Sequence, residues 1–179
     1  MDGAALYKIF AYSVDSYGNK SKVIEDSVII DQCNYYVDAR NQNENPDGSK
    51  SNPFTSFEQC VDVLDKSRYV NIRIFGDVEF PKGKTVFSSN CEISGFENAR
   101  IIFPENSSII VRNSSFIVRN SLLEHKGFSS RQSSFIELQH SVLDFSKCEV
   151  MTSFEKNGTL INSDKSVIVL NDCGMTIKS

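Results

Sequence analysis

The sequence predicts an all-β fold: a parallel β-helix, or solenoid, with a short N-terminal capping helix and a leading β-hairpin. One segment occurs three times, beginning at Ser108, Ser134 and Thr159. Each copy opens with a hydroxyl residue and two apolar residues, and repeats that opening seven residues later. The copies begin 26 and then 25 residues apart. Such a period is typical of solenoids, whose units bury their apolar faces only against neighbouring units.

The residue types within the copies distinguish strands from helices. The segments are short, rich in β-branched residues and interrupted by serine and asparagine, which favours strand–turn–strand over a helix pair. A third strand is predicted in each coil after the two repeated openings. Successive coils should lie about 4.8 Å apart. This stacking predicts one buried column that contains Leu122, Cys148 and Cys173.

The composition limits the partners. The chain has 179 residues, of which 40% are hydrophobic and 23% charged, and its formal net charge is −4. This balance, without a cluster of lysine or arginine, argues against nucleic-acid binding. No span approaches the roughly 20 apolar residues of a membrane helix, and no signal peptide is recognisable. We therefore expect no nucleic-acid partner and no membrane insertion, and the oligomeric state stays open.

The cysteine pattern does not indicate a metal site. The five cysteines are Cys33, Cys60, Cys91, Cys148 and Cys173. They show no CxxC or Cys/His spacing, and their odd number does not fit a disulfide framework. Cys148 and Cys173 occupy equivalent positions in successive copies, so we expect them to stack as reduced core residues. A disulfide between these two is the alternative.

Residues 1–31 are predicted to form a β-hairpin. A strand beginning at Leu6, a turn at 16–19 and a strand at 27–31 make up the pattern. Two strands alone are marginally stable in water, so the hairpin needs a partner surface. The hairpin resembles the last two strands of fibronectin type III or related Ig-like modules, in the runs YKIFAYSVD, GNKS and SVIID. The resemblance implies a piece of a longer extracellular protein; a hairpin native to the main domain is the alternative.

Residues 32–66 are predicted to cap the solenoid. A strand at 34–39 and a polar loop at 40–52 precede an amphipathic helix. The apolar face of this helix consists of Phe57, Cys60, Val61 and Leu64. Thr55 and Glu58 fit a capping box at its start. A cap is needed because an open solenoid end leaves backbone donors and acceptors unpaired.

The same region resembles a known family. The runs concerned are YYVD at 35–38, DGS at 47–49, NPF at 52–54 and a strand near 72–77. They are similar to the N-terminal signature of right-handed parallel β-helix proteins of the pectate-lyase-like superfamily. The resemblance covers residues 34–179, as pattern alone after Phe103, and implies a right-handed β-helix over 32–179. That family includes polysaccharide lyases, glycoside hydrolases and many bacterial surface proteins.

The solenoid proper is predicted to begin with a strand at 71–75. A turn at 81–84 leads into a looser copy that starts at Thr85, 23 residues before Ser108. The chain stops at Ser179, on a predicted third strand and without a polar cap. We therefore expect a truncated solenoid.

Two sets of polar residues near turns are candidates for a site. Asn120, Ser146 and Asn171 align at one turn, and we interpret them as a structural hydrogen-bond ladder. The two histidines, His125 and His140, occupy different positions in the repeat and are predicted to lie in surface loops. Neither set predicts catalysis.

Metal-dependent lyase chemistry is not predicted from these residues. Asp31, Asp38 and Asp47 offer oxygen ligands for calcium but are too dispersed, so we expect no metal and no cofactor. Lyases of the resembled family combine several acidic calcium ligands with a lysine or arginine base. The charged residues of the repeat that were considered for this are Arg112, Arg119, Glu137, Asp144, Asp164 and Asp172. They form no compact acidic set.

Hydrolase chemistry needs two carboxylates about 5–10 Å apart. Glu137 and Asp144 lie on successive strands across a bend, which makes convergence improbable. Arg119 aligns with Phe145 and Leu170 in the following coils, so this face is not uniformly polar. No catalytic residue is assigned.

We expect an extracellular or cell-surface scaffold or binding module whose partner is a glycan or a host molecule. Two alternatives stay open. One is part of a polysaccharide lyase or glycoside hydrolase with its active residues on later coils, and the other is a structural spacer.

Overall fold

The computed structural model describes residues 5–30, 34–64, 69–128, 134–153 and 158–178; Asp31 and Cys33 lie outside them. Within these ranges the chain forms fifteen strands and one helix. The elements of the first half are β1 (Ala5–Ala11), β2 (Ile24–Ile30), β3 (Asn34–Asp38), α1 (Phe57–Leu64), β4 (Tyr69–Glu79), β5 (Lys84–Phe87) and β6 (Asn90–Phe103). Those of the second half are β7 (Ser108–Arg112), β8 (Ser115–Arg119), β9 (Leu122–His125), β10 (Ser134–Gln139), β11 (Val142–Ser146), β12 (Glu149–Ser153), β13 (Thr159–Asp164), β14 (Val167–Asn171) and β15 (Gly174–Lys178).

The leading hairpin is a separate two-stranded antiparallel sheet of β1 and β2. Its turn is stabilised by the Asp15 carboxylate, which accepts backbone hydrogen bonds from Tyr17 and Asn19, both at 2.9 Å. The second strand begins at Ile24, three residues earlier than the predicted Ser27. That this hairpin belongs to a fibronectin-like module stays a prediction.

The strands β3 to β15 form a parallel β-solenoid of about four turns, which confirms the predicted all-β fold. One sheet has four strands in the order β13-β10-β7-β5. The other has nine strands and is bent at β6, whose first half pairs with β8 and whose second half pairs with β9. We call the strands on one side of β6 (β8, β11 and β14) wing one, and those on its other side (β9, β12 and β15) wing two.

The core lies between these sheets and is built from stacked side chains. On wing one, alternate residues point inward because successive side chains of a strand face opposite sides. A file of phenylalanine rings runs along the interior from the helix into the coils. It consists of Phe57, Phe80, Phe103 and Phe135, with successive centroid distances of 4.5, 4.4 and 4.8 Å. The many phenylalanines of the sequence therefore form repeated core layers.

The helix α1 closes one end of the solenoid, as predicted. Phe57, Cys60 and Leu64 are buried. The predicted capping box of Thr55 and Glu58 is wrong, because Glu58 is exposed and the Gln59 side chain lies at the helix start instead. Gln59 Oε1 accepts hydrogen bonds from the backbone N–H groups of Thr55 at 2.8 Å and Ser56 at 3.3 Å.

The predicted alignment of the earlier copies is one residue out of register. Ile109 pairs with Ile136, not with Phe135, and Ile136 pairs with Ile161. The copies are therefore 27 and then 25 residues apart. The looser copy is shifted in the same way, since Lys84, and not Thr85, pairs with Ser108.

The shift changes the predicted column of Leu122, Cys148 and Cys173. Leu122 pairs with Glu149 and is partly exposed, so it does not belong to the column. Cys148 and Cys173 do stack, and Ser121 takes the place predicted for Leu122. The predicted register is wrong here because Leu122 and Leu123 are both apolar. Side-chain alternation can then place either residue in the core, and the pattern fits two registers one residue apart.

A candidate binding cleft at the corner of the solenoid

The corner between wing one and wing two has the same backbone conformation in three successive coils. Asn120, Lys147 and Asp172 have φ angles of 52°, 53° and 55°, in the left-handed region. The backbone N–H of Asn120 donates to the Ser146 carbonyl at 3.1 Å, and that of Lys147 to the Asn171 carbonyl at 2.9 Å. These bonds stack one corner on the next. We call Asn120, Lys147 and Asp172, whose side chains are all exposed, the corner column.

This geometry corrects the predicted ladder of Asn120, Ser146 and Asn171. Ser146 pairs with Arg119 in the coil before it and with Asn171 in the coil after it. Asn120 follows Arg119 in the chain, so it stacks on Lys147, the residue that follows Ser146. The turn position is therefore filled by asparagine, lysine and aspartate. Because these are three different residue types, a search for a repeated residue does not find the position. Asparagine and aspartate tolerate the left-handed conformation better than most residues.

The corner within β6 is longer than the corner of the coil that follows. Ser94 pairs with Arg119 and Arg100 pairs with Leu122, so five residues on β6 face two on the next coil. The extra residues form a protrusion of three exposed residues, 96–98, that we call the overhang.

The overhang is seated directly on the corner below it. A Cβ atom on Gly95 would lie 2.4 Å from the Asn120 carbonyl oxygen and 2.5 Å from the Ser121 hydroxyl oxygen. Only glycine permits this close approach. Glu97 and Asn98 then reverse the chain with φ angles of 56° and 60°.

A shallow, open cleft of about 520 Å³ lies beside the overhang and along the corner column. Its rim is polar and consists of Asn98, the three residues of the corner column and Glu149. All five side chains are exposed. The rim thus presents amide, ammonium and carboxylate groups on successive coils, which is the arrangement needed to hydrogen-bond an elongated polar ligand.

The floor of the cleft is held together by hydroxyl and thiol groups. Ser121 Oγ donates to the Arg119 carbonyl at 3.0 Å, and Cys148 Sγ donates to the Val118 carbonyl at 3.2 Å. Cys173 repeats the contact with the Phe145 carbonyl at 3.2 Å. Burial raises the pKa of the Cys148 thiol, which keeps its proton for this hydrogen bond. Both cysteines are free thiols.

Wing one carries an arginine between two carboxylates on its outer face. Arg119 Nε lies 3.1 Å from Glu92 Oε1, and a terminal nitrogen of Arg119 lies 3.7 Å from Asp144 Oδ2. The predicted alignment of Arg119 with Phe145 and Leu170 is wrong, because the one-residue shift places the arginine on the outward side.

The second half of β6, which pairs with wing two, repeats this arrangement. Arg100 contacts Asp77 from the preceding coil and Glu124 from the following one, the latter at 3.0 Å. The hydrogen bond from Arg100 holds the pKa of Asp77 below its usual value. A general acid needs a raised pKa, so an arginine contact opposes proton donation by this carboxylate. The charged outer faces beside the cleft therefore suit ion pairing better than acid catalysis.

A stack of aromatic rings reaches the surface at the overhang. The Phe75 ring stacks on the Phe96 ring with centroids 5.3 Å apart, and Tyr36 lies 6.5 Å beyond Phe75. Phe96 is the last ring of the stack and is 41% exposed. Phe96 does not line the cleft, whose contact with the overhang is made by Asn98.

The two histidines differ in their positions. His140 lies exposed at a left-handed turn with a φ angle of 51°. The prediction of a surface loop for His125 is wrong: it is 2% exposed and its ring stacks on Phe135 at 4.4 Å. Its Nε2 lies 3.0 Å from the Ser107 carbonyl oxygen, and its Nδ1 accepts a hydrogen bond from Gly127 N–H at 3.2 Å. Alternation within β9 turns this histidine inward.

The carboxylates considered for hydrolysis lie on different sheets. Glu137 belongs to β10 of the four-stranded sheet and lies 4.0 Å from Lys84 Nζ. Asp144 belongs to β11 and faces Arg119. The other charged residues considered, Arg112 and Asp164, lie at the ends of strands of the four-stranded sheet.

The aspartates considered for calcium have local partners. Asp38 accepts hydrogen bonds from the Arg40 guanidinium, at 2.8 and 2.9 Å, and Asp47 accepts one from the Ser49 backbone N–H at 2.9 Å. Within the ranges that the structure describes, no three histidine, cysteine, aspartate or glutamate side chains are grouped to hold a metal ion.

Comparison of the chain with models of protein families, with curated proteins and with solved structures found no match. Among the described residues, no helix combines the length and the apolar character that crossing a bilayer requires. The functional argument therefore depends on the geometry of the corner cleft.

Proposed function

We propose that the chain is a rigid binding module whose corner cleft receives a carbohydrate. The observation that supports this most strongly is the corner column, in which three successive coils each offer one polar side chain to the same cleft. Successive coils lie about 4.8 Å apart, close to the length of one sugar unit in an extended chain. A sugar polymer along the cleft therefore meets one polar side chain per unit.

The chemistry of the rim fits sugar hydroxyl groups, which both donate and accept hydrogen bonds. The Asn98 and Asn120 amides do the same, the Lys147 ammonium donates, and the Asp172 carboxylate accepts. Ala99 and Leu122 add apolar surface to the lining of the cleft. A few convergent polar groups beside apolar surface are typical of small-molecule sites.

The proposed location is outside the cell or at its surface. Two resemblances support it: the run at 35–54 is similar to pectate-lyase-like β-helix proteins, and the hairpin is similar to fibronectin type III modules. Both types of protein are common among extracellular bacterial proteins. The stacked core makes the module a stiff scaffold on which the cleft is held in place.

A variant without the corner-column side chains tests the proposal. The triple variant Asn120→Gly, Lys147→Gly and Asp172→Gly keeps the left-handed backbone, because glycine adopts it freely. We expect calorimetric titration with hexasaccharides of glucose, glucosamine and galacturonate to show binding by the natural chain. The variant should bind the best of them about tenfold more weakly or worse, as expected for lost hydrogen bonds.

The other corner of the solenoid supplies a matched control. Asn113, His140 and Lys165 have φ angles of 48°, 51° and 46° there, so replacing them with glycine makes the same backbone change. This control variant should keep the affinity of the natural chain. Equal affinities for both triple variants, or no binding of any hexasaccharide, would refute the proposal. Cleavage of the sugar during titration would instead favour the lyase or hydrolase alternative.

A further inference from the structure

We infer that the corner cleft selects sugars without carboxylates, either neutral or amino-bearing, and discriminates against uronates. This inference rests on the proposed function. The rim has one cation, Lys147, and two anions, Glu149 and Asp172, while its asparagines are neutral. The rim is therefore net negative, and a carboxylate ligand meets more repulsion than attraction.

The arginines beside the cleft do not change this balance. Proteins recognise carboxylates best through paired hydrogen bonds from an arginine guanidinium. Each arginine here already contacts two carboxylates of the chain itself, so each group of three is net negative. The groups are Arg119 with Glu92 and Asp144, Arg100 with Asp77 and Glu124, and Arg40 with Asp38 and Glu97. A uronate would have to compete with these internal partners.

The overhang adds negative charge at the end of the cleft where Asn98 lies. Glu97 lies next to Asn98 of the rim, and its carboxylate is 3.3 Å from Arg40. An ammonium group on a sugar gains from these carboxylates, whereas a neutral sugar is unaffected by them. The expected order of affinity is glucosamine oligomer, then glucose oligomer, then galacturonate oligomer.

The order is tested with hexasaccharides of these three sugars at low and high salt. At low salt the galacturonate hexamer should bind about tenfold more weakly than the glucose hexamer, as expected for one or more like-charge contacts. Raising the ionic strength to about 1 M shortens the screening length to about 3 Å. The differences among the three sugars should then shrink.

A charge-neutral variant assigns the effect to the rim. Glu149→Gln with Asp172→Asn keeps the shapes of both side chains, and asparagine accepts the left-handed backbone at position 172. We expect this variant to lose most of the preference for glucosamine over galacturonate. The control Glu105→Gln with Asp164→Asn makes the same change of charge at exposed positions outside the rim, and should keep the preference.

The outcomes separate this inference from the proposed function. Tightest binding of the galacturonate hexamer, abolished by glycine at the corner column, would overturn the inference while supporting carbohydrate binding in the cleft. A preference that persists in the charge-neutral variant would also overturn it. If none of the three hexamers binds, both the proposed function and the inference are wrong.

Discussion

The first and the last described coils of the solenoid bury similar side chains to different extents. At the first end, α1 covers the core, and Phe57 and Cys60 are 0% exposed. In the last described coil, Leu170 pairs in register with Phe145 and continues its inward column. Phe145 is 1% exposed, whereas Leu170 is 47% exposed, and Ile168 beside it is 40% exposed.

The difference in exposure is caused by the number of neighbouring coils and not by the residue types. An inward side chain in a middle coil is covered by one coil before it and one after it. In the last described coil the second cover is missing within the described residues. The comparison teaches that burial in this fold is shared between coils, so the same residue type contributes differently by position.

The largest expected effect compares the core of a middle coil with that of the last one. Phe145→Ala should lower the free energy of unfolding by about 3–5 kcal/mol, the usual cost of a large buried aromatic. Leu170→Ala should cost about 1 kcal/mol, because half of its surface already contacts water. Urea unfolding measures both. Equal losses would show that the last coil is covered in solution, and the comparison would fail.

The second prediction compares two glycines near the corner column whose surroundings differ. Gly95→Ala should destabilise the fold by about 1–3 kcal/mol, since its Cβ would lie 2.4 Å from the Asn120 carbonyl oxygen. Gly174 in the last coil has as its nearest neighbour the Glu149 side chain at 3.7 Å, an ordinary contact. Gly174→Ala should therefore be neutral. Thermal unfolding of the two variants tests this, and a neutral Gly95→Ala would contradict the packing described for the overhang.

The third prediction concerns the capped end. Gln59→Ala removes the acceptor for two backbone N–H groups at the helix start and should cost about 1 kcal/mol. Glu58→Ala changes an exposed neighbour and should stay within about 0.5 kcal/mol. Loss of stability in the Glu58 variant alone would restore the capping box that the sequence predicted.

The smallest effect is a pH dependence in the middle coils. Burial holds the pKa of His125 below its ordinary value of 6.5, so the unfolded chain takes up this proton first as the pH falls. Stability from neutral His125 is therefore complete above pH 6.5 and decreases as the pH falls from there toward the folded-state pKa. The slope cannot exceed about 1.4 kcal/mol per pH unit for one proton.

Two variants isolate this contribution. His125→Gln should flatten the pH profile of unfolding relative to the natural chain, although it also lowers stability at neutral pH. His140→Gln, at an exposed turn, should leave the profile unchanged. An identical slope in the natural chain and in the His125 variant would contradict the assignment.

Several structural features could be predicted from local patterns. The apolar spacing in α1 predicts its buried face, and the strand–turn alternation predicts three strands per coil. The inward position of His125 is not predicted, because the two histidines occupy different positions in the repeat and so indicate no shared inward column. The overhang is not predicted, because Asn98 favours a left-handed conformation only as a single residue and Glu97 before it does not indicate one.

The amino-acid sequence by itself determined the fold class, the capping helix and the stacking of Cys148 on Cys173, because alternation and turn chemistry act between near neighbours. Only the tertiary structure decided the register. Adjacent apolar residues such as Leu122 and Leu123 allow either one to face inward, and hydrogen bonding to the neighbouring coils makes the choice: Leu123 is buried and Leu122 is partly exposed. The cleft depends on the same register, since it lies where the long corner of β6 is stacked on the shorter corner of the next coil.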